Sequence, residues 1–271
     1  MKYCRILLKN EPQFALVETE GSTGRELITR VFKSEPGARI PDEDASSRRI
    51  DAIPLAEAKL LTPVLPSKIV CVGRNYRAHA AELGNEVPTQ PLIFFKPPSS
   101  LCDPGAEIRL PRLSQSVHYE GELALVIGKT CYHVREGEDV RDYILGYTIL
   151  NDVTARDLQK KENQWARAKG FDTFTPVGPV VVDGLDPWAG VQVETRINHE
   201  VRQHGTTADF IFPLDVIIRH ITAAMTLLPG DVIATGTPEG VGPLHAGDVV
   251  EISVDGVGTL RNPVVDESDG H

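Results

Sequence analysis

Apolar residues fall in short runs parted by glycine, proline and charge, the pattern of strands more than of long helices. The runs at 4–8 and 14–17 predict a first pair of strands, with 9–13, which contains Pro12, as the turn between them. Gly21, Ser22, Thr23 and Gly24 break the chain again, and the polar stretch 34–50, with Pro36, Gly37 and Pro41, reads as a loop. Pro63 and Pro66 forbid regular structure in 61–66, which reads as a linker. A strand follows at 68–73, then a short helix with Asn75 as its N-cap and Gly84 as its stop. Residues 91–98 read as a buried strand ended by prolines, and 123–127 as a second buried strand. Residues 143–152 form a strand that ends on a carboxylate, and 153–159 start a short helix or turn. Residues 230–242 are a strand running into a glycine-rich loop, and strands near 249–254 and 258–261 close the chain. Tandem repeats and low-complexity tracts are absent from the sequence.

Composition sets the scale. The chain has 271 residues, 41% hydrophobic and 24% charged, enough for one large or two modest domains with a real core. The expected division is a small β-rich N-terminal domain over 1–62, serving as a cap or for dimerisation, and a larger domain over 63–271. Residues 1–66 carry ten basic and ten acidic residues, so the net charge of −10 comes entirely from the rest. That charge opposes nucleic-acid and anionic-membrane partners. Cys4, Cys71, Cys102 and Cys131 are far apart and form no Cys-x-x-Cys pair, as expected of reduced thiols in a cytoplasmic protein. The first ten residues are too short an apolar stretch for a signal peptide, and no run approaches membrane-spanning length.

Chemistry concentrates in the larger part. Glu120 and Glu122 precede the 123–127 run at i and i+2, so on a strand they share a face, with Gly121 between them allowing close approach. Parallel carboxylates at the mouth of a buried strand repel unless a cation sits between them, and a hard oxygen-seeking ion answers that need. The same pair also occurs at ordinary solvated strand ends. Asp152 can complete a set of three oxygens that leaves positions open for substrate or water, as a catalytic Mg²⁺ or Mn²⁺ requires. His79 and Glu82 are i and i+3 on the predicted helix, the pairing that orients an imidazole for water activation and also a common surface ion pair. Lys169 beside Gly170 can reach a developing negative charge. Lys96 reads as a structural or rim charge. The 236–242 loop offers backbone N–H groups to an anion, but no Gly-Lys-Ser/Thr follows, so it is not a P-loop.

Each motif alone is weak. Together, Gly73-Arg74-Asn75-Tyr76 with His79 and Glu82, Glu120-Gly121-Glu122-Leu123-Ala124, the 151–159 run, Lys169-Gly170-Phe171-Asp172 and the 235–242 loop resemble the fumarylacetoacetate hydrolase superfamily in order and spacing. The resemblance covers 63–271, and the N-terminal part looks like the small extra domain of bacterial acylpyruvase and 2-hydroxyhepta-2,4-diene-1,7-dioate isomerase-like members. It implies a mostly β (α+β) fold: a mixed β-sandwich or β-roll with few helices, usually a homodimer. It further implies Glu120, Glu122 and Asp152 as metal ligands, His79 and Glu82 as an acid–base dyad on a lid, and Lys169 as a charge-stabilising lysine. Arg74, Tyr76, Gln159, Gly236 and Thr237 fall where family members contact substrate or line the site. Fumarylacetoacetate hydrolase itself adds a fourth, upstream carboxylate ligand. No residue here is assigned to that place, so the resemblance is to the three-carboxylate members.

The function implied is action on 2-oxo or 2-enol carboxylates with Mg²⁺, or Mn²⁺, in a site that Ca²⁺ can also occupy. The leading expectation is hydrolysis of a C–C bond in an acylpyruvate, with His79 activating water and pyruvate leaving as a metal-bound enolate. The alternative is an isomerase or decarboxylase acting on 2-hydroxyhepta-2,4-diene-1,7-dioate or 5-carboxymethyl-2-hydroxymuconate, as in aromatic-compound breakdown, or an oxaloacetate decarboxylase.

Overall fold

The structure is a computed structural model that describes residues 1–268 apart from 22, 33, 35, 38–46, 83 and 85. It is mostly β. Twelve strands among the described residues join in one sheet, five more form a second sheet, and three short ones a third.

The strand Gly121–Ile127 is buried along its whole length. Leu123, Leu125 and Ile127 enter one core cluster while Ala124 and Val126 enter another on the opposite face. Covering on both faces is why this segment reads as an unbroken apolar run instead of an alternation. It pairs antiparallel with Ile144–Asn151 on one side and with Val232–Ala234 on the other. Beyond Val232–Ala234 lie Ile69–Gly73, in parallel, and Leu92–Lys96 at the sheet edge.

The five-stranded sheet packs across the first cluster. Val193, Ile252, Val254 and Leu260 meet Leu123, Leu125, Tyr147 and Ile149 there. Four short helices are present among the described residues: α1 (Arg77–Glu82), α2 (Arg156–Lys161), α3 (Ala166–Lys169) and α4 (Leu214–Ala224). α4 buries Leu214, Ile217, Ile218 and Ile221, an i, i+3, i+4, i+7 face, in the same cluster. No helix among the described residues is long and apolar enough to cross a membrane.

Several local expectations change. The first turn is shorter than 9–13: strands Lys2–Leu8 and Glu11–Thr19 meet at Lys9 and Asn10, with φ of 52° and 65°. Two left-handed residues close a two-residue hairpin, so Pro12 lies within a strand. Of the expected 34–50 loop, 35 and 38–46 lie outside the described residues, as does Ser22 of the earlier break. Residues 47–50 belong to the strand Ser47–Pro54, paired with Glu26–Phe32. Leu92–Lys96 is an edge strand with Phe95 exposed, not a buried one. Asn75 does not cap α1. Its side chain is buried, donating to the carbonyls of Thr235 (2.8 Å) and Phe212 (3.2 Å) and accepting from the Phe212 N–H (2.8 Å).

Pro176 and Pro179 are residues that disfavour the interior of a sheet. Thr175–Val182 is nonetheless a fully buried strand. It pairs with Ile144–Asn151 through a register shift between Tyr147 and Ile149, and with Leu101–Cys102 at Thr175 and Pro176. On the far side, Lys2 and Tyr3 pair with Val182 and Val181. Strands from residues 1–62 thus extend the same sheet.

Candidate active site and metal centre

The carboxylates converge because two strand ends are clamped together. Glu120 sits at the break between Val117–Tyr119 and Gly121–Ile127, and Asp152 lies one residue past Ile144–Asn151. The Glu120 N–H donates to Asn151 Oδ1 (3.0 Å), and the Asp152 N–H donates to the Glu120 carbonyl (2.8 Å). Gly121 has no room for a side chain, since a Cβ there would lie 2.2 Å from Thr195 Oγ1. Gln203 accepts the Gly121 N–H (3.0 Å) and donates to Thr237 Oγ1 and the Pro238 carbonyl (both 2.8 Å), tying the glycine-rich loop to this strand. As a result one oxygen each of Glu120, Glu122 and Asp152 lie within 4.8 Å of one another, all three residues buried.

Buried cations surround two of the three. Lys169 Nζ donates to Glu120 Oε2 (2.8 Å) and Asp152 Oδ2 (2.6 Å). Lys96 Nζ donates to Asp152 Oδ1 (2.7 Å) and the Val153 carbonyl (3.0 Å), and Arg156 donates to Glu120 Oε1. Burial opposes ionisation of Glu120, but the charges of Lys169 and Arg156 overcome it and hold that carboxyl well below the usual range. Glu122 is left out. Its Oε2 accepts the Gly236 N–H (2.7 Å), and among the described residues it has no ion-pair partner. Burial and the repulsion of Asp152 and Glu120 push its carboxyl well up.

That imbalance is the test of whether a metal fits. Three all-oxygen ligands close together, one without a cation and forced toward protonation, match a hard divalent ion. Mg²⁺ and Mn²⁺ both accept this donor set. The second oxygens of Glu120 and Asp152 are held by Arg156 and Lys96, which fixes the orientation of both carboxylates.

His79 lines the same cavity from α1 and is 4% exposed. Its Nδ1 faces Glu82 Oε2 at 3.4 Å. Burial lowers its pKa, against the pull of Glu120 and the Glu82 contact, so the neutral, basic form prevails near neutrality. Glu82 in turn accepts the Gly240 N–H on both oxygens (3.1 and 3.2 Å). The anions met by the glycine-rich loop are therefore the protein's own: Gly236 serves Glu122, and Gly240 serves Glu82.

The remaining expected contacts separate. Arg74, Gln159 and Thr237 line the cavity. Arg74 has φ of +57°, a left-handed conformation costly for a non-glycine residue and concentrated at functional sites. Gln159 Oε1 accepts from Arg156 (2.7 Å), and Thr237 Oγ1 donates to the Gly121 carbonyl (2.9 Å). Gly236 acts through its N–H on Glu122. Tyr76 is outside the cavity lining: it is 2% exposed, packs edge-on against Phe210, and its hydroxyl has no hydrogen-bond partner among the described residues.

Lys96, expected as a structural or rim charge, is buried and paired with Asp152, and sequence reasoning assigned no role to Arg156, Phe94, Trp165 or Gln203. Lys96 had a visible signal: it is the lone cation ending an apolar strand, and a buried strand end cannot leave it unpaired. Arg156 stood inside the 151–159 run without a role. Gln203 gives no local signal, because it arrives from a strand 82 residues further along the chain than Gly121.

Fold and site together define a mostly β enzyme with a buried carboxylate centre and a buried histidine in the same cavity. Residues 68–265 match the family model described as the C-terminal domain of fumarylacetoacetate (FAA) hydrolase, and the chain belongs to that family. It is 43% identical over 224 residues to oxaloacetate tautomerase YisK of Bacillus subtilis, covering 78% of this chain and 74% of that protein. Among solved structures, 2-hydroxyhepta-2,4-diene-1,7-dioate isomerase from Mycobacterium marinum superposes with a TM-score of 0.86 at 44% identity, covering 99% of this chain and all of the other. The 5-carboxymethyl-2-hydroxymuconate delta-isomerase from Mycobacterium smegmatis gives a TM-score of 0.85 at 42% identity, covering 98% and 100%.

Proposed function

We propose that this chain is a divalent-metal-dependent isomerase or tautomerase of small 2-oxo/2-enol carboxylates, moving a proton between carbon and the 2-oxygen. The observation that carries the reading is Glu122: a buried carboxylate beside two others, without a cation of its own, in the cavity that also holds His79. Glu120, Glu122 and Asp152 would hold the ion. When bound, Mg²⁺ or Mn²⁺ supplies a Lewis acid that favours the enolate form of the substrate. Arg74 and Arg156 place positive charge at the cavity wall for the substrate carboxylate. Lys169 keeps a fixed positive charge beside the developing negative oxygen. His79, with Nδ1 turned to Glu82, presents Nε2 to carry the proton between C3 and the 2-oxygen. Val72, Phe94 and Trp165 supply apolar wall that limits water.

This revises the leading expectation from sequence, C–C hydrolysis. The same His79–Glu82 pair could activate water, but the named relatives are tautomerases and isomerases. The homodimer expected of the family is part of the proposal and is read by light scattering. The discriminating assay follows ultraviolet loss of enol-oxaloacetate with Mg²⁺, beside pyruvate release from acetylpyruvate. Fast ketonisation with negligible pyruvate release is expected. Pyruvate release at the higher kcat/KM would restore the hydrolase reading, and full activity in excess chelator would remove the metal from the account.

A further inference from the structure

Phe94 and Trp165 have two sides. One faces the cavity of the carboxylate centre, and the other faces a larger groove along the sheet edge, between Leu92–Lys96 and the start of α3. The two sides differ in chemistry. Arg74, Arg156 and Lys169 are all on the cavity side, whereas the groove is lined by Leu92, Ile93, Phe95, Ala166 and the amides Asn163 and Gln164, with no charge.

The partition is held in place from several directions. Trp165 stands edge-on to Phe94, with ring centroids 5.2 Å apart and planes at 73°. A Cβ on Gly73 would lie 3.2 Å from the Trp165 ring, so glycine at that position lets the indole approach the strand end closely. Lys169 Nζ is 4.9 Å from the centroid of the Phe94 ring, and the Lys169 N–H donates to the Trp165 carbonyl (3.0 Å). The residue that touches two of the carboxylates is thus also the one that braces the wall.

We infer that the Phe94–Trp165 pair sets the chain-length limit of the active site, keeping a compact 2-oxo acid on the charged side and shutting longer arms out of the groove. The inference rests on the 2-oxo acid reading above. A second carboxylate close to the first meets Arg74 and Arg156. A longer arm would have to displace the two rings, and an arm ending in charge would find no counter-ion beyond them. Removing the indole joins cavity and groove, and the new space is apolar, so the substrates gained are those with an uncharged distal group.

The test compares Trp165→Ala with the wild type on two 2-oxo acids whose enols absorb in the ultraviolet, oxaloacetate and phenylpyruvate, with Mg²⁺ present. The ratio of kcat/KM for phenylpyruvate to that for oxaloacetate should rise at least tenfold in Trp165→Ala and by less in Trp165→Phe, which keeps a ring. Thermal melting confirms that both variants are folded. An unchanged ratio in folded Trp165→Ala overturns the inference. If the wild type turns over neither acid, the proposed function fails first. The limit is then read from calorimetric dissociation constants of the same two acids, where an unchanged ratio overturns it equally.

Discussion

Glu122 is where the electrostatics of the site are unresolved by the chain itself. Lys96, Lys169 and Arg156 match the three carboxylates in number but are grouped on Glu120 and Asp152. Glu122→Gln keeps an oxygen for the Gly236 N–H and removes the repulsion, so the metal-free variant should melt no lower than the wild type. What it should lose is stabilisation by Mg²⁺, which for a site at a hundredfold excess over Kd is about 2.7 kcal/mol. A variant that keeps the full Mg²⁺-induced rise in Tm would contradict the ligand assignment. The same carboxyl gives a pH dependence. Its folded pKa is raised, so without metal it contributes stability at low pH that is lost as pH climbs through the folded value. A divalent ion takes the deprotonated form, so the Mg²⁺-induced rise in Tm should grow as pH climbs above the ordinary carboxylate range. A rise independent of pH would mean that Glu122 is not the group that must ionise. At this scale the sequence was most informative about acids and least about bases: Glu-x-Glu shows its geometry in its spacing, whereas Lys96 and Arg156 find their partners only once distant strands meet.

Single elements do more than one thing here. The glycine-rich loop after Val232–Ala234 serves Glu122 through Gly236 and Glu82 through Gly240, linking the carboxylate centre to the His79–Glu82 pair on α1. Both glycines have positive φ, and a Cβ on Gly240 would lie 2.0 Å from the Arg202 carbonyl. Gly240→Ala should therefore displace the N–H that holds Glu82. We expect kcat to fall about tenfold or more, the scale of a misplaced general base. The Mg²⁺-induced rise in Tm, which reports on Glu122, should be kept. Equal loss of both would show that the loop acts as one rigid support. The elements legible in the sequence were those with a simple period or a run, such as 123–127 and 69–73. Thr175–Val182 was hidden by its prolines, which a bulged, doubly covered strand accommodates. Asn75 resembled a helix cap because its position before α1 is a capping position, yet its side chain is used to join α1's entry to two other segments.

Across the whole molecule, the sheet runs unbroken from Ser47–Pro54 at one edge to Leu92–Lys96 at the other. That continuity was not visible in the sequence, since strand pairing between residues 2–3 and 181–182 leaves no local mark. Its consequence is that residues 1–62 cover the edge of the fully buried Thr175–Val182. Deleting them should unpair Val181 and Val182 and strip Tyr3, Phe14, Leu16 and Phe32 from the core beside Val177 and Val181, and yield a protein that aggregates at temperatures where the full chain is stable, as followed by light scattering. A soluble, monodisperse 63–271 fragment would show that the N-terminal strands are dispensable for this fold. The account as a whole depends on three carboxylates sharing one ion. The most direct measurement is an anomalous-difference map from crystals of the full chain grown with Mn²⁺. One peak per chain is expected among the oxygens of Glu120, Glu122 and Asp152; no peak there, with Mn²⁺ bound elsewhere or not at all, would mean that the trio is not a metal site.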